Sequence, residues 1–93
     1  MKAIWNGQVI AESDQTEIVE GNYYFPRSAI KSEFFRESAH KTVCPWKGTA
    51  SYYDLVSGDD ESKNAAWYYP TTKPAANNIK DYIAFYPVVR VTS

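Results

Sequence analysis

A chain of 93 residues with 44% hydrophobic and 23% charged content is the size of one domain with a single small core, spanning 1–93. A formal net charge of −1 gives no footprint for a phosphate backbone, which argues against nucleic-acid binding, and no run approaches the roughly 20 apolar residues that cross a bilayer. One cysteine and one histidine make neither an internal disulfide nor a four-ligand zinc site, so no metal or cofactor is implied.

In chain order, Lys2 to Trp5 and Gln8 to Ala11 flank Asn6-Gly7, a pair that accepts the positive φ angles of a tight hairpin turn. Thr16 to Val19 and Tyr23 to Phe25 read as two short strands around a Glu20-Gly21-Asn22 turn, ended by Pro26. From Arg27 the period changes. Ser28 can cap a short helix with Ala29, Ile30, Phe34 and Phe35 near one face, or the same residues can form one helical turn and an extended segment. Ser38 to Lys41 reads as a loop feeding a Thr42 to Cys44 strand.

Thr49 to Val56 is a strand by its β-branched and aromatic content, Ser57 to Lys63 a polar loop, and Asn64 to Tyr69 the returning strand of a long hairpin. Pro70 to Pro74 turns the chain, Ala75 to Lys80 suits one helical turn, and Tyr82–Tyr86 and Val88–Val91 close the chain as strands around Pro87. The N-terminus lacks the apolar run and small-residue cleavage site of a signal peptide, so a reducing, cytoplasmic setting is expected. The fold class is mainly β, two short antiparallel sheets in a barrel-like arrangement with one or two helical turns.

Eight Tyr, four Phe and three Trp make 16% of the chain. Tyrosine suits a half-buried pleated surface and carries a hydroxyl to a wet edge, so an aromatic cleft is expected. Its organising feature is Cys44-Pro45-Trp46-Lys47-Gly48, which concentrates a thiol, an ammonium and a turn glycine. Lys47 can meet an anion on that turn, against the alternative of a plain surface lysine. Cys44 is a candidate nucleophile with His40 as its base on the same strand face, against the commoner fate of a small buried hydrophobe and a surface histidine. Tyr24, Trp46, Tyr52 and Tyr69 are expected to line the cleft, with Arg27 as a second anion partner. The charge run Asp59-Asp60-Glu61 falls in a hairpin tip and reads as a solvated loop.

Four segments taken together resemble the bacterial domain of unknown function 427 family. They are Tyr23 to Pro26, His40 to Tyr52, Ala65 to Pro70 and Ile79 to Tyr86, with Cys-Pro-Trp-Lys-Gly the most specific part. Where the family has Trp-Ser-Tyr-Pro, this chain has Trp67-Tyr68-Tyr69-Pro70. The resemblance implies a β-tent, two small antiparallel sheets pinned at one edge and open at the other. A nucleotidyltransferase label travels with the family, but no phosphate-cradling glycine loop accompanies it here.

Three functions follow as expectations. A small molecule, planar or anionic, binds in the aromatic cleft near Cys44 and Lys47. Alternatively, an enzyme uses Cys44 as its nucleophile. A third reading is a protein-interaction module whose unpaired strand edge docks a partner, a homodimer being one outcome.

Overall fold

A computed structural model describes residues 1–93. The first hairpin forms where expected: β1 (Lys2–Trp5) and β2 (Gln8–Glu12) pair across a turn in which Asn6 and Gly7 take φ of 54° and 73°. The mirror-image turn matches the twist of the strands it joins. β3 (Glu17–Val19) and β4 (Asn22–Tyr24) repeat the device, with Glu20 and Gly21 at φ of 54° and 79°.

The largest sheet is a meander of β5 (Phe35–Cys44), β6 (Gly48–Ser57), β7 (Asp60–Tyr68) and β8 (Ile83–Phe85), all antiparallel. A last strand, β9 (Arg90–Thr92), returns to pair with β1, giving a three-stranded sheet in the order β2-β1-β9. The fold is therefore mainly β, with three small antiparallel sheets where two were expected. The third is the β3–β4 ribbon. It continues the edge of the four-stranded sheet, because Phe25 and Ile83 exchange both backbone hydrogen bonds at 2.8 Å.

The chain between Pro26 and Phe35 does not form one helix. Arg27–Ala29 and Ser32–Phe34 are separate 3₁₀ turns, and Ile30 between them is extended and bridges Ala11. The Lys31 amide donates to the Ile10 carbonyl at 2.8 Å, which a continuous helix would forbid. Residues 38 to 41 are strand rather than loop. They belong to β5, with Ala39 and His40 bulged out between Ser38 opposite Tyr52 and Lys41 opposite Ser51. The polar loop expected at 57–63 shrinks to a tight turn around Gly58, and Pro74–Ile79 is a 3₁₀ segment. The final strands are shorter than expected, because residues 86–89 form a turn closed by the Val89 amide on the Tyr86 carbonyl.

Alternation along the strands sorts side chains onto two faces. One face of the four-stranded sheet carries Tyr53, Leu55, Ala66, Tyr68, Ile83 and Phe85 against Ala3, Trp5, Ile10 and Ala11 of the three-stranded sheet. The other carries Tyr24, Ala50, Tyr52, Tyr69 and Ala84, covered by Ala76 and Ile79 of the 3₁₀ segment. Three Tyr-Tyr doublets, at 23–24, 52–53 and 68–69, are each split between these faces. Fully buried Phe25, Leu55 and Ile83 contribute about 1.5–3 kcal/mol apiece. The Cα radius of gyration is 12.4 Å, close to the roughly 12 Å of a compact chain this long. No helix is long and apolar enough to cross a membrane.

Candidate functional site

Cys44 and Gly48 face each other at the end of β5 and β6, leaving Pro45, Trp46 and Lys47 as a three-residue loop. Gly48 sits at φ 125°, a conformation L side chains rarely adopt. A Cβ there would also lie 3.0 Å from the Thr71 carbonyl oxygen. The loop is clamped from the same side: the Lys73 amide donates to the Lys47 carbonyl at 3.0 Å, and Lys73 Nζ to the Pro45 carbonyl at 2.6 Å. A glycine is thus required twice, by backbone angle and by close approach.

With its backbone held, the Lys47 side chain turns inward and the residue is only 6% exposed. Its Nζ donates to the Glu20 carboxylate in the β3–β4 turn and lies 5.4 Å from the Trp46 ring centroid and 5.5 Å from that of Tyr69. Burial alone would push the ammonium down. The hydrogen bond to Glu20 and the nearby Tyr24 and Tyr69 hydroxyls outweigh it and hold the pKa above lysine's usual value. Glu20 is held below the usual carboxylate range, chiefly by its hydrogen bond from Lys47. Lys47 is therefore a fixed cation, unsuited to act as a neutral amine nucleophile.

Around the lysine the rings make one continuous surface. Trp67 Nε1 donates to the Tyr24 hydroxyl at 3.1 Å, with the two rings edge to face at 6.1 Å. Trp67 meets Tyr86 at 4.8 Å, Tyr86 stacks on Tyr52 at 6.4 Å, and His40 packs on Tyr52 at 4.6 Å. The Tyr52 hydroxyl shares a hydrogen bond with Thr42 Oγ1 at 2.9 Å. Burial pushes the Tyr24 and Tyr69 hydroxyls up, while Lys47 pulls both partly back. Tyr86 is pushed up to about 12, first by its hydrogen bond with Tyr52 and then by burial. Tyr24, Tyr52 and Tyr69 are themselves buried, whereas Trp46 and Tyr86 keep 39% and 44% exposure. No enclosed cavity opens beside them, so the surface is a shelf of rings rather than a deep cleft.

Of the residues singled out in the sequence, Lys47, Trp46, Tyr24, Tyr52 and Tyr69 come together on this face. Cys44 is half-buried and packs against the same cluster. It forms no hydrogen bond with His40, whose ring lies on Tyr52 instead. Arg27 lies elsewhere. Its Nη1 donates to the Tyr53 hydroxyl at 2.7 Å, its guanidinium sits 4.7 Å over the Tyr68 ring, and Nη2 is 3.2 Å from Asp81 Oδ1. Tyr53 and Tyr68 belong to the opposite face of the sheet, so Arg27 and Lys47 do not share a site. Sequence reasoning missed Glu20, which read only as a turn residue. A carboxylate beside a turn glycine is a faint signal, and its partner is 27 residues away.

Two of the three carboxylates at the β6–β7 turn are engaged in structural contacts, Asp60 by Asn6 Nδ2 at 2.8 Å and Glu61 by Arg36, and Asp59 is exposed. No group of three or more His, Cys, Asp or Glu side chains is gathered closely enough to hold a metal ion. No curated protein matches the chain at a significant level. A family model labelled NTP_transf_9 matches residues 1–92. The match spans all but the last residue, and the chain belongs to the family described as domain of unknown function 427 (DUF427).

Proposed function

We propose that the aromatic face around Lys47 binds a small planar molecule bearing a carboxylate or phosphate. The observation that carries this reading is a buried ammonium set among Trp46, Tyr69 and Tyr24, whose carboxylate partner Glu20 is itself half-exposed. A desolvated cation is a strong anion partner, and an exposed indole beside it offers a stacking surface. Trp46 and Tyr86 supply the accessible rings, and the hydroxyls of Tyr24, Tyr52 and Tyr69 lie behind them. With a shelf in place of a cavity, affinity in this reading is modest, since small ligands bind tightly when most of their surface is enclosed. The domain works as one unit over 1–93, and its single thiol suits a reducing, cytoplasmic compartment.

The test is amide chemical-shift titration with an aromatic carboxylate and a nucleoside monophosphate, using a neutral aromatic amide as control. Both anions are expected to shift Trp46, Lys47 and Tyr86, and the shifts are expected to vanish in Lys47→Met. Shifts that survive the substitution, or that arise equally with the neutral amide, overturn the reading.

The thiol-nucleophile reading draws on one observation, that Cys44 packs on the same aromatic cluster as Lys47's neighbours. Its alkylation rate against pH decides it. An apparent pKa near the free value of about 8.5 sets it aside.

A further inference from the structure

With β4 and β8 joined through Phe25 and Ile83, the strands left at the sheet edges differ sharply in length. β2 has five residues, β3 and β9 have three each, and β5 has ten. β5 is paired only on its β6 side, and seven of its ten residues are exposed. Val43, at 78%, is the most exposed of the large hydrophobic residues. A long edge with free backbone donors and acceptors is a template for another strand unless something deters it. Here two deterrents are present, a lysine at position 41 and a bulge at Ala39 and His40.

We propose that two copies of this chain pair edge to edge along β5, antiparallel, about a twofold axis at Ala39. The occupant follows from charge complementarity. Opposite β6, residues Phe35, Glu37, Lys41 and Val43 face Leu55, Tyr53, Ser51 and Thr49, so these four share one face of the sheet despite the bulge. A twofold axis perpendicular to the sheet keeps that face common to both copies. Centred on Ala39, it sets Glu37 of each copy opposite Lys41 of the other, and Phe35 opposite Val43. Each pair occurs twice.

Neighbouring registers lack this match. A shift of one residue sets Arg36 against Lys41 in one direction and Glu37 against Thr42 in the other. Opposite charges directly across an antiparallel pair attract, and like charges repel by a comparable amount. Lys41 therefore turns away strands that lack a carboxylate at the matching position and accepts a copy of its own. Ala39 of the bulge falls on the axis and meets its own symmetry mate, with His40 opposite Ser38 of the other copy. The four-stranded sheet would continue as eight strands, covering the isolated Val43.

The experiment is light scattering and sedimentation over a concentration series at low salt, with charge swaps. Wild type is expected to form a reversible dimer. Glu37→Lys and Lys41→Glu each turn two attractive pairs into repulsive ones and are expected to weaken it about tenfold. The double variant E37K/K41E is expected to recover association to within about threefold, since both pairs are restored in reversed sense. Mixing the two single variants is expected to yield a heterodimer tighter than either homodimer. Both side chains are exposed, and circular dichroism checks that each variant is folded. A monomer at every concentration, or a dimer indifferent to both swaps, overturns the proposal.

Discussion

The molecule holds two cation sites of similar plan and different character. Lys47 and Arg27 each sit against aromatic rings, and each pairs with a roughly half-exposed carboxylate on a residue at positive φ, Glu20 at 54° and Asp81 at 64°. They lie on opposite faces of the same sheet. The lysine side chain is 8% exposed and that of the arginine 37%. Arg27 makes one well-formed hydrogen bond to Tyr53, while its Nε and Nη2 are buried without one, so Asp81 is a charge neighbour more than a geometric partner. The difference teaches that the arginine ties surface turns to the dry core, whereas the lysine is an enclosed charge held by a backbone built around it.

The largest expected effect breaks the lysine side of this comparison. Gly48→Ala forces an L residue to φ 125° and drives its Cβ against the Thr71 carbonyl, and a loss of about 2–3 kcal/mol in urea unfolding is expected. Arg27 rests on no comparable backbone requirement. Next come the tyrosines that serve each cation. Tyr24→Phe removes the buried hydroxyl that accepts from the partly buried Trp67 N–H and is expected to cost about 1–1.5 kcal/mol. Tyr53→Phe is expected to cost about 1 kcal/mol or less, because the partly exposed guanidinium recovers water.

Smaller still is Lys47→Met. It removes a buried charge at nearly constant volume and frees Glu20 to solvent, and stability is expected to stay within about 1 kcal/mol of the parent while anion binding is lost. Glu20→Ala is expected to destabilise more than Lys47→Met, since it strands the ammonium. The reverse order in thermal melts would mean that the carboxylate, not the lysine, is the enclosed partner.

Salt and pH sharpen the contrast further. Added salt is expected to remove the contribution of the Arg27–Asp81 pair before that of Lys47–Glu20, read as melting temperature in each single variant against salt. Glu20 is depressed, so its contribution is present above the ordinary carboxylate value of 4.5 and lost as pH falls through the folded value. Lys47 is raised, so its contribution is present below 10.5 and lost as pH rises through the folded value. The tyrosines Tyr68 and Tyr86, each pushed up to about 12, make the unfolded chain ionise first. Stability is therefore expected to fall between pH 10 and about 12, and the tyrosinate absorbance of these two to lag in the folded state.

Much of this arrangement is legible in the residues. Asn6-Gly7 announces its hairpin because few other pairs accept two positive φ angles. The Cys-Pro-Trp-Lys-Gly turn is legible from its Pro45 and from Gly48, which takes a φ of 125°. What hides is β5. Its stretch Arg36 to Thr42 is polar but for Ala39, because an edge strand exposed along its length needs no apolar alternation, and its middle, Ser38 to Lys41, reads as loop. Arg27 was legible as a cation but not by location: it lies three residues past Tyr24 in chain order and is still carried to the other face. Glu20 is illegible because nothing local ties residue 20 to residue 47; only the joining of Phe25 to Ile83 brings the ribbon over that turn.

The close approach of Gly48 to Thr71 has a consequence for the order of events in folding. The β5–β6 hairpin is a local structure of a kind that closes in microseconds. Its loop, however, is clamped by Lys73 and paired with Glu20, groups that lie 26 and 27 residues from Lys47 in opposite directions along the chain. The strands of the hairpin can therefore zip long before the loop acquires its final surroundings. In kinetic terms, substitutions in β6 beyond Gly48 are expected to slow folding, whereas those at Lys47 and Gly48 chiefly quicken unfolding.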